Sequence, residues 1–218
     1  MKKRSGKAAG VTARTRVRRD GVGKPKSVAA QPNAIFLVGF MGAGKTSVGR
    51  ALAGRLNWRF EDLDDRIENR ENRSVAAIFR DSGEAGFRRA EHAALEHLLR
   101  ELSATSGRVV ALGGGAFVQK QNASLLQGAG VATVFLDAPV DELWQRCCKQ
   151  STAAGIERPL LRSQQQFRKL YNARRKGYSK AVTRVSTSER SVDAVAAEIA
   201  QVFGLTEIVT RTEEGEVE

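Results

Sequence analysis

Only two of the 218 residues are cysteine, and they are neighbours, Cys147 and Cys148. Adjacent cysteines rarely form a useful bridge, so a disulfide framework is excluded, and they read as an ordinary pair on a helix. Histidine is equally scarce: His92 and His97 stand alone on a helical stretch, with no cysteine or histidine cluster spaced to hold a metal. No apolar run approaches the ~18 residues that span a bilayer. The first 33 residues contain no secretory apolar segment, which points to a cytoplasmic protein without membrane contact. They also have almost no acid. Ten Lys and Arg stand there beside Asp20 alone, so this segment carries +9 of the net +12 and the rest of the chain only +3. The charge is therefore an arm, not a basic body.

That arm, residues 1–33, lacks the apolar surface that would offset ordering entropy, and its composition predicts disorder. It contains no helix-turn-helix pattern. A solvated extension is favoured over contact with nucleic acid, an anionic surface or an organelle import system. The acidic end, 206–218, reads as a disordered tail. Between them, 34–205 is long enough for one domain with its own core, and no internal repeat is found.

Within 34–205, short apolar runs alternate with helical periodicity. "AIFLV" (34–38), "RVVAL" (108–112) and "VATVFL" (131–136) are buried-strand candidates. "WRF" (58–60) and "RVST" (184–187) are weaker ones. Helical patterns cover about 45–56, 63–71, 75–81, 84–103, 119–127, 140–150, 164–177 and 191–203. Such alternation predicts an α/β fold with a parallel sheet. Residues 151–166, "STAAGIERPLLRSQQQ", break the rhythm and carry two arginines, which suits a mobile lid.

The strongest motif is Gly39-Phe40-Met41-Gly42-Ala43-Gly44-Lys45-Thr46, which fits G-x-x-x-x-G-K-[ST] between a strand and a helix. Glycines let backbone N–H groups curl around phosphate oxygens, and the helix N-terminus adds partial positive charge. Lys45 reaches the β- and γ-phosphates, and the Thr46 hydroxyl ligates Mg²⁺. The loop does not say who receives the phosphate.

Many proteins with this loop carry an apolar strand ending in Asp. "RVVALGGG" is such a strand but ends in glycines. The acids lie in "FEDLDD", where Asp62 and Asp64 are two apart. In extended chain that spacing puts both on one side, one for the metal shell and one for an acceptor hydroxyl. "GEAGFRRAEHAAL" (83–95) opens a helix with Arg88, Arg89 and Glu91 in its first turns; an arginine fork suits a carboxylate or phosphate. Gly113, Gly114 and Gly115 permit close approach to the backbone. Together these parts describe a small-molecule kinase whose lid excludes water.

At this point the chain resembles the shikimate kinase family. "IFLVGFMGAGKTSVGRALA", "FEDLDDRIE", "SVAAIFRDSGEAGFRRAE", "LGGGAF", "RPLL" and the Arg174–Tyr178 spacing carry the resemblance, from about Asn33 to Leu205. This ordered set separates the family from gluconate kinases and nucleoside monophosphate kinases. The resemblance implies a P-loop, nucleoside-monophosphate-kinase-like three-layer fold. Its five-stranded parallel sheet, order 2-3-1-4-5, is flanked by helices and topped by a mobile lid. It implies transfer of the γ-phosphate of ATP to the 3-hydroxyl of shikimate, with one Mg²⁺ per subunit, in a monomer. Gly42, Ala43, Gly44, Lys45, Thr46 and Ser47 are then expected to bind ATP, with Asp62 supporting the metal through water. Asp64 is expected to bind the substrate hydroxyls and act as base. Arg88 and Arg174 would grip the carboxylate, and Gly113, Gly114 and Gly115 would contact substrate. Arg158, on the lid, would offset transition-state charge, and Arg190 would contact adenine. Two other functions are compatible with these residues: a kinase of another small hydroxy acid, and a non-catalytic sensor that binds shikimate. The basic arm and acidic tail depart from the family pattern.

Overall fold

The computed structural model describes residues 31–102, 107–154 and 163–205. The arm up to residue 30, the tail from 206 and residues 155–162 of the expected lid, Arg158 among them, lie outside the described residues. Five strands form one sheet: β1 (Ala34–Val38), β2 (Arg59–Asp62), β3 (Arg108–Ala111), β4 (Ala132–Asp137) and β5 (Thr183–Ser186). All pairings are parallel and the order is β2-β3-β1-β4-β5, as the resemblance implies. Ile35, Phe36, Leu37, Val109, Val110, Val134 and Leu136 are fully buried. A parallel sheet covered by helices on both faces needs such continuous apolar strands.

The helices are α1 (Lys45–Leu56), α2 (Leu63–Glu71), α3 (Val75–Arg100), α4 (Lys120–Gly128), α5 (Val140–Ala154), α6 (Gln164–Tyr178) and α7 (Val192–Val202). A 3₁₀ turn at Ala116–Val118 joins them. Sequence-local chemistry sets most boundaries. Asp62, Ser74, Ser163 and Ser191 cap helix N-termini through side-chain oxygens. Asn57 and Asn72 end α1 and α2 in the left-handed conformation.

The expected break between helices 75–81 and 84–103 is present: α3 is two helical segments meeting at Gly83, whose φ of 66° and ψ of −176° no helix contains, and the second segment ends at Arg100. Helix α5 runs to Ala154 and α6 starts at Gln164, so the described ends of the expected lid are helical. No described helix is long and apolar enough to cross a membrane.

β1 and β3 are adjacent, so the loops after them sit side by side at the carboxyl edge of the sheet. The strand order changes direction there, the usual place for ligands in such sheets. The "GFMGAGKT" loop and the three glycines, 70 residues apart in sequence, thus become neighbours.

Candidate active site

The loop after β1 is built on left-handed glycines: Gly39, Gly42 and Gly44 have φ of 147°, 78° and 88°. At Gly42 a Cβ would stand 2.7 Å from the Leu143 carbonyl oxygen. Helix α1 begins at Lys45 with no side-chain cap, which leaves its first N–H groups for an anion. Lys45 Nζ donates to the carbonyls of Gly39 and Phe40, both at 3.0 Å. Burial lowers its pKa, while the carboxylates of Asp64 and Asp62 oppose the shift.

The Thr46 hydroxyl donates to Asp62 Oδ2 at 3.1 Å, and Asp62 Oδ1 accepts from the Asp64 N–H at 3.1 Å. This corrects the extended-chain picture of the acid pair. Asp62 is the last residue of β2 and the cap of α2, while Asp64 already lies in the helix's first turn. The change of conformation between them aims Asp62 at Thr46 and Asp64 at the glycine loop. Burial, reinforced by Asp62, pushes the Asp64 carboxyl up to about 6, and Lys45 resists.

Helix α3 brings Arg88 and Glu91 to the same place. Arg88 donates to Glu91 at 2.8 Å and to Glu84 at 3.2 Å. Glu91 is fully buried. Burial raises its pKa and the Arg88 charge counters it. The three glycines accept these side chains against their backbone. A Cβ on Gly113 would lie 2.7 Å from Asp64 Oδ1, and one on Gly115 would lie 2.6 Å from an Arg88 terminal nitrogen. Gly114 meets nothing closer than 3.8 Å. From α6, Arg174 donates to the Gly114 carbonyl at 3.2 Å.

These groups line one cavity of about 470 Å³. Around it Asp64 Oδ1, Arg88 Nε and Glu91 Oε1 are buried without a hydrogen-bond partner. Buried polar atoms are normally paired, so three orphans on residues that line one cavity mark a polar site whose side chains are not arranged for their own pairing.

The cavity brings together Gly42, Gly44, Lys45, Thr46, Ser47, Asp62, Asp64, Arg88, Gly113, Gly114, Gly115 and Arg174. Ala43 belongs to the loop but packs into the core. Arg158 falls among the residues not described. Arg190 does not line the cavity. Its guanidinium is held by Glu198, the Ser186 carbonyl and the Ala194 carbonyl. Sequence reasoning gave Glu91 no role, although it stands three residues from Arg88, the spacing of a helical ion pair. It also missed the apolar wall of Val75, Phe79, Phe87 and Leu112. Phe79 and Phe87 stack at 4.5 Å across the Gly83 bend, and nothing in an aromatic's sequence position distinguishes a site wall from core. Arg146 was missed as well. It ties the Gly42 carbonyl (3.4 Å) to the Thr187 carbonyl (2.6 Å) and so braces the phosphate loop against the segment after β5. His92 contacts Asn122 at 2.6 Å, a structural pairing away from the cavity.

A family model described as shikimate kinase matches residues 41–203. A shikimate kinase of Geobacter sulfurreducens is 40% identical over 177 residues, covering 80% of this chain and 92% of that one. One from Persephonella marina is 36% identical over 166 residues, covering 76% and 95%. Among solved structures, the shikimate kinase of Acinetobacter baumannii, in complex with shikimate, superposes with a TM-score of 0.68 at 35% identity, covering 78% of this chain and 92% of that one. An APS kinase of Mycobacterium tuberculosis, 16% identical with a TM-score of 0.50, shares the fold alone.

Proposed function

The chain belongs to the shikimate kinase family, an ATP-dependent family of small-molecule kinases, and on that premise we propose how its residues perform the transfer. The observation that carries the proposal is the convergence of Lys45, Thr46 and Asp62 with Asp64, Arg88 and Arg174 on one cavity. A hydroxylated carboxylic acid fits the side opposite the phosphate loop: its hydroxyls suit the Asp64 carboxylate and its carboxylate suits the arginine forks.

The body, 34–205, is read as the catalytic unit, with 1–33 and 206–218 outside it. ATP lies with its phosphates on Gly42 to Ser47, cradled by the backbone and the start of α1. Lys45 leaves the Gly39 and Phe40 carbonyls for the β- and γ-phosphate oxygens. Thr46 and Asp62, an oxygen pair already in contact, fit a hard divalent cation that takes few protein ligands and keeps several waters. Mg²⁺ held there, with Asp62 acting through water, would neutralise charge on the phosphates.

Shikimate lies across the glycine loop with its carboxylate between Arg88 and Arg174, and Phe79 and Phe87 wall off solvent. Asp64 receives the proton of the 3-hydroxyl as that oxygen attacks the γ-phosphorus in line, while the bond from the γ-phosphorus to the β,γ-bridging oxygen breaks and ADP leaves with its electron pair. A carboxyl titrating at about 6 is a better proton acceptor than an ordinary aspartate and is still ionised at neutral pH. Glu91 holds Arg88 in place. Arg158 would cover the transferring phosphate, and Arg190 is assigned to the adenine side on the resemblance alone. A monomeric enzyme is assigned on the resemblance alone, and a cytoplasmic one on the sequence expectation.

A coupled ADP-release assay tests this reading, with shikimate as substrate and quinate and gluconate as controls. Release that depends on shikimate supports it. Equal or faster release with a control acid assigns a different acceptor. Binding of shikimate without turnover would identify a sensor.

A further inference from the structure

We propose that Tyr178 is a positioning residue for the acid substrate: by holding the Gly114 carbonyl, it keeps the Arg174 guanidinium free for the substrate carboxylate. The inference rests on the function proposed above and concerns the same site.

Arg174 and Tyr178 lie four residues apart on α6, one above the other on a single face. Both donate to one acceptor, the Gly114 carbonyl: Arg174 from a terminal nitrogen at 3.2 Å, Tyr178 from its hydroxyl. A carbonyl oxygen has two lone pairs. Two donors saturate it and fix the peptide's orientation in the middle of the glycine loop. The Tyr178 ring is fully buried and stacks on Phe135 of β4 at 5.3 Å, so its hydroxyl is anchored in the core. Gly177 completes the attachment. A Cβ there would stand 2.6 Å from Val118 Cγ1, so only glycine lets α6 close on the 3₁₀ turn that follows the loop. Helix α6, the glycine loop and the 3₁₀ turn are therefore fastened to one another.

Burial pushes the Tyr178 hydroxyl up to about 12, so it remains a donor throughout the working pH range. Without that hydroxyl, the Gly114 oxygen has an open lone pair beside a guanidinium with further N–H groups. Arg174 then turns deeper onto the carbonyl and away from the cavity. The deficit falls on the acid substrate and not on the nucleotide.

The test is Tyr178→Phe, which keeps the stacked ring. Shikimate KM is expected to rise roughly tenfold, with ATP KM unchanged and kcat within about threefold. Tyr171→Phe is the control: it removes a hydroxyl on the same helix that bonds Asp137, away from the loop, and shikimate KM should stay at the wild-type value. In the pair Arg174→Met and Arg174→Met/Tyr178→Phe, the double variant should be no worse than the single. Gly177→Ala, with the hydroxyl intact, should raise shikimate KM in the same direction, which keeps the idea testable if Tyr178→Phe melts. An unchanged shikimate KM in Tyr178→Phe, an equal rise in Tyr171→Phe, or additive effects with Arg174→Met would overturn the proposal. A wild-type protein with no shikimate-dependent turnover would instead overturn the function beneath it.

Discussion

The Asp64 carboxylate lies so close to the backbone of Gly113 that a Cβ at 113 would stand 2.7 Å from Oδ1. Arg88 stands in the same relation to Gly115, at 2.6 Å. The outer two glycines of the triplet therefore serve the protein's own side chains. Only the middle one, Gly114, has ordinary space above it. The triplet acts as a die that sets where the proposed base and the proposed carboxylate clamp are held.

Alanine at each position should give three different outcomes in steady-state kinetics. Gly113→Ala displaces Asp64 and should lower kcat by on the order of 10²-fold, the penalty of misplacing a reacting group by about 1 Å. Gly115→Ala displaces Arg88 and should mainly raise shikimate KM. Gly114→Ala meets no protein atom closer than 3.8 Å, so its thermal stability should be near wild type and any defect should appear only against the acid substrate. Three equal defects would show that the triplet is merely a loose turn.

Asp64→Asn should leave ATP and shikimate affinities within roughly tenfold, about 1.4 kcal/mol, while turnover falls on the order of 10²-fold or more. Near-normal turnover would remove Asp64 from the role of base. In the wild type, kcat/KM for shikimate should fall as pH drops through about 6, because the base must be ionised.

The same variant has a stability signature. The folded pKa of Asp64 is raised from 3.8 to about 6, so the native state binds its proton more tightly than the unfolded chain. Its contribution is most favourable below about 4 and is lost as pH rises through about 6. Asp64→Asn removes that penalty and should be more stable than wild type at pH 7.5, by up to about 3 kcal/mol. The advantage should shrink towards pH 4. Thermal melts at the two pH values measure it, and a pH-independent difference would contradict the burial of this carboxylate.

Arg88→Lys keeps the charge but loses the fork that holds both Glu91 and a carboxylate. Shikimate KM should rise roughly tenfold or more with ATP KM unchanged. Calorimetric titration of shikimate gives the direct check, and unaltered affinity would take Arg88 out of the acid site.

Removing residues 1–30 should leave kcat and both KM values nearly intact. The residues lining the cavity all lie between Met41 and Arg174, and the family match begins at residue 41. A large kinetic loss would mean that the basic arm takes part in the folded enzyme.

Much of this protein was determined by the sequence alone, because the relevant physics is local. The apolar runs at 34–38 and 131–136, the serine and aspartate caps and the Gly83 break fix strands and helices through interactions a few residues long. The phosphate loop is legible for the same reason: strand, glycines, Lys45 and Thr46 are contiguous, and their spacing is their function. Contacts between segments distant in the chain were decided only by tertiary structure. The sequence placed Asp62 and Asp64 on one side of an extended strand. Capping of α2 by Asp62 turned them to different partners. It showed a triple glycine but not that Asp64 and Arg88 fill the space left by missing side chains, because Asp64 reaches Gly113 only once β2 pairs with β3 and Arg88 reaches Gly115 only once α3 packs there. Phe79 carries no mark of its own in the sequence, and Glu91 and Tyr178 are marked only by their spacing from Arg88 and Arg174, which states no role. Each gained its place when α3 and α6 closed over the carboxyl edge of the sheet, where burial raises the pKa of a carboxylate and one carbonyl can gather two donors from a single helix.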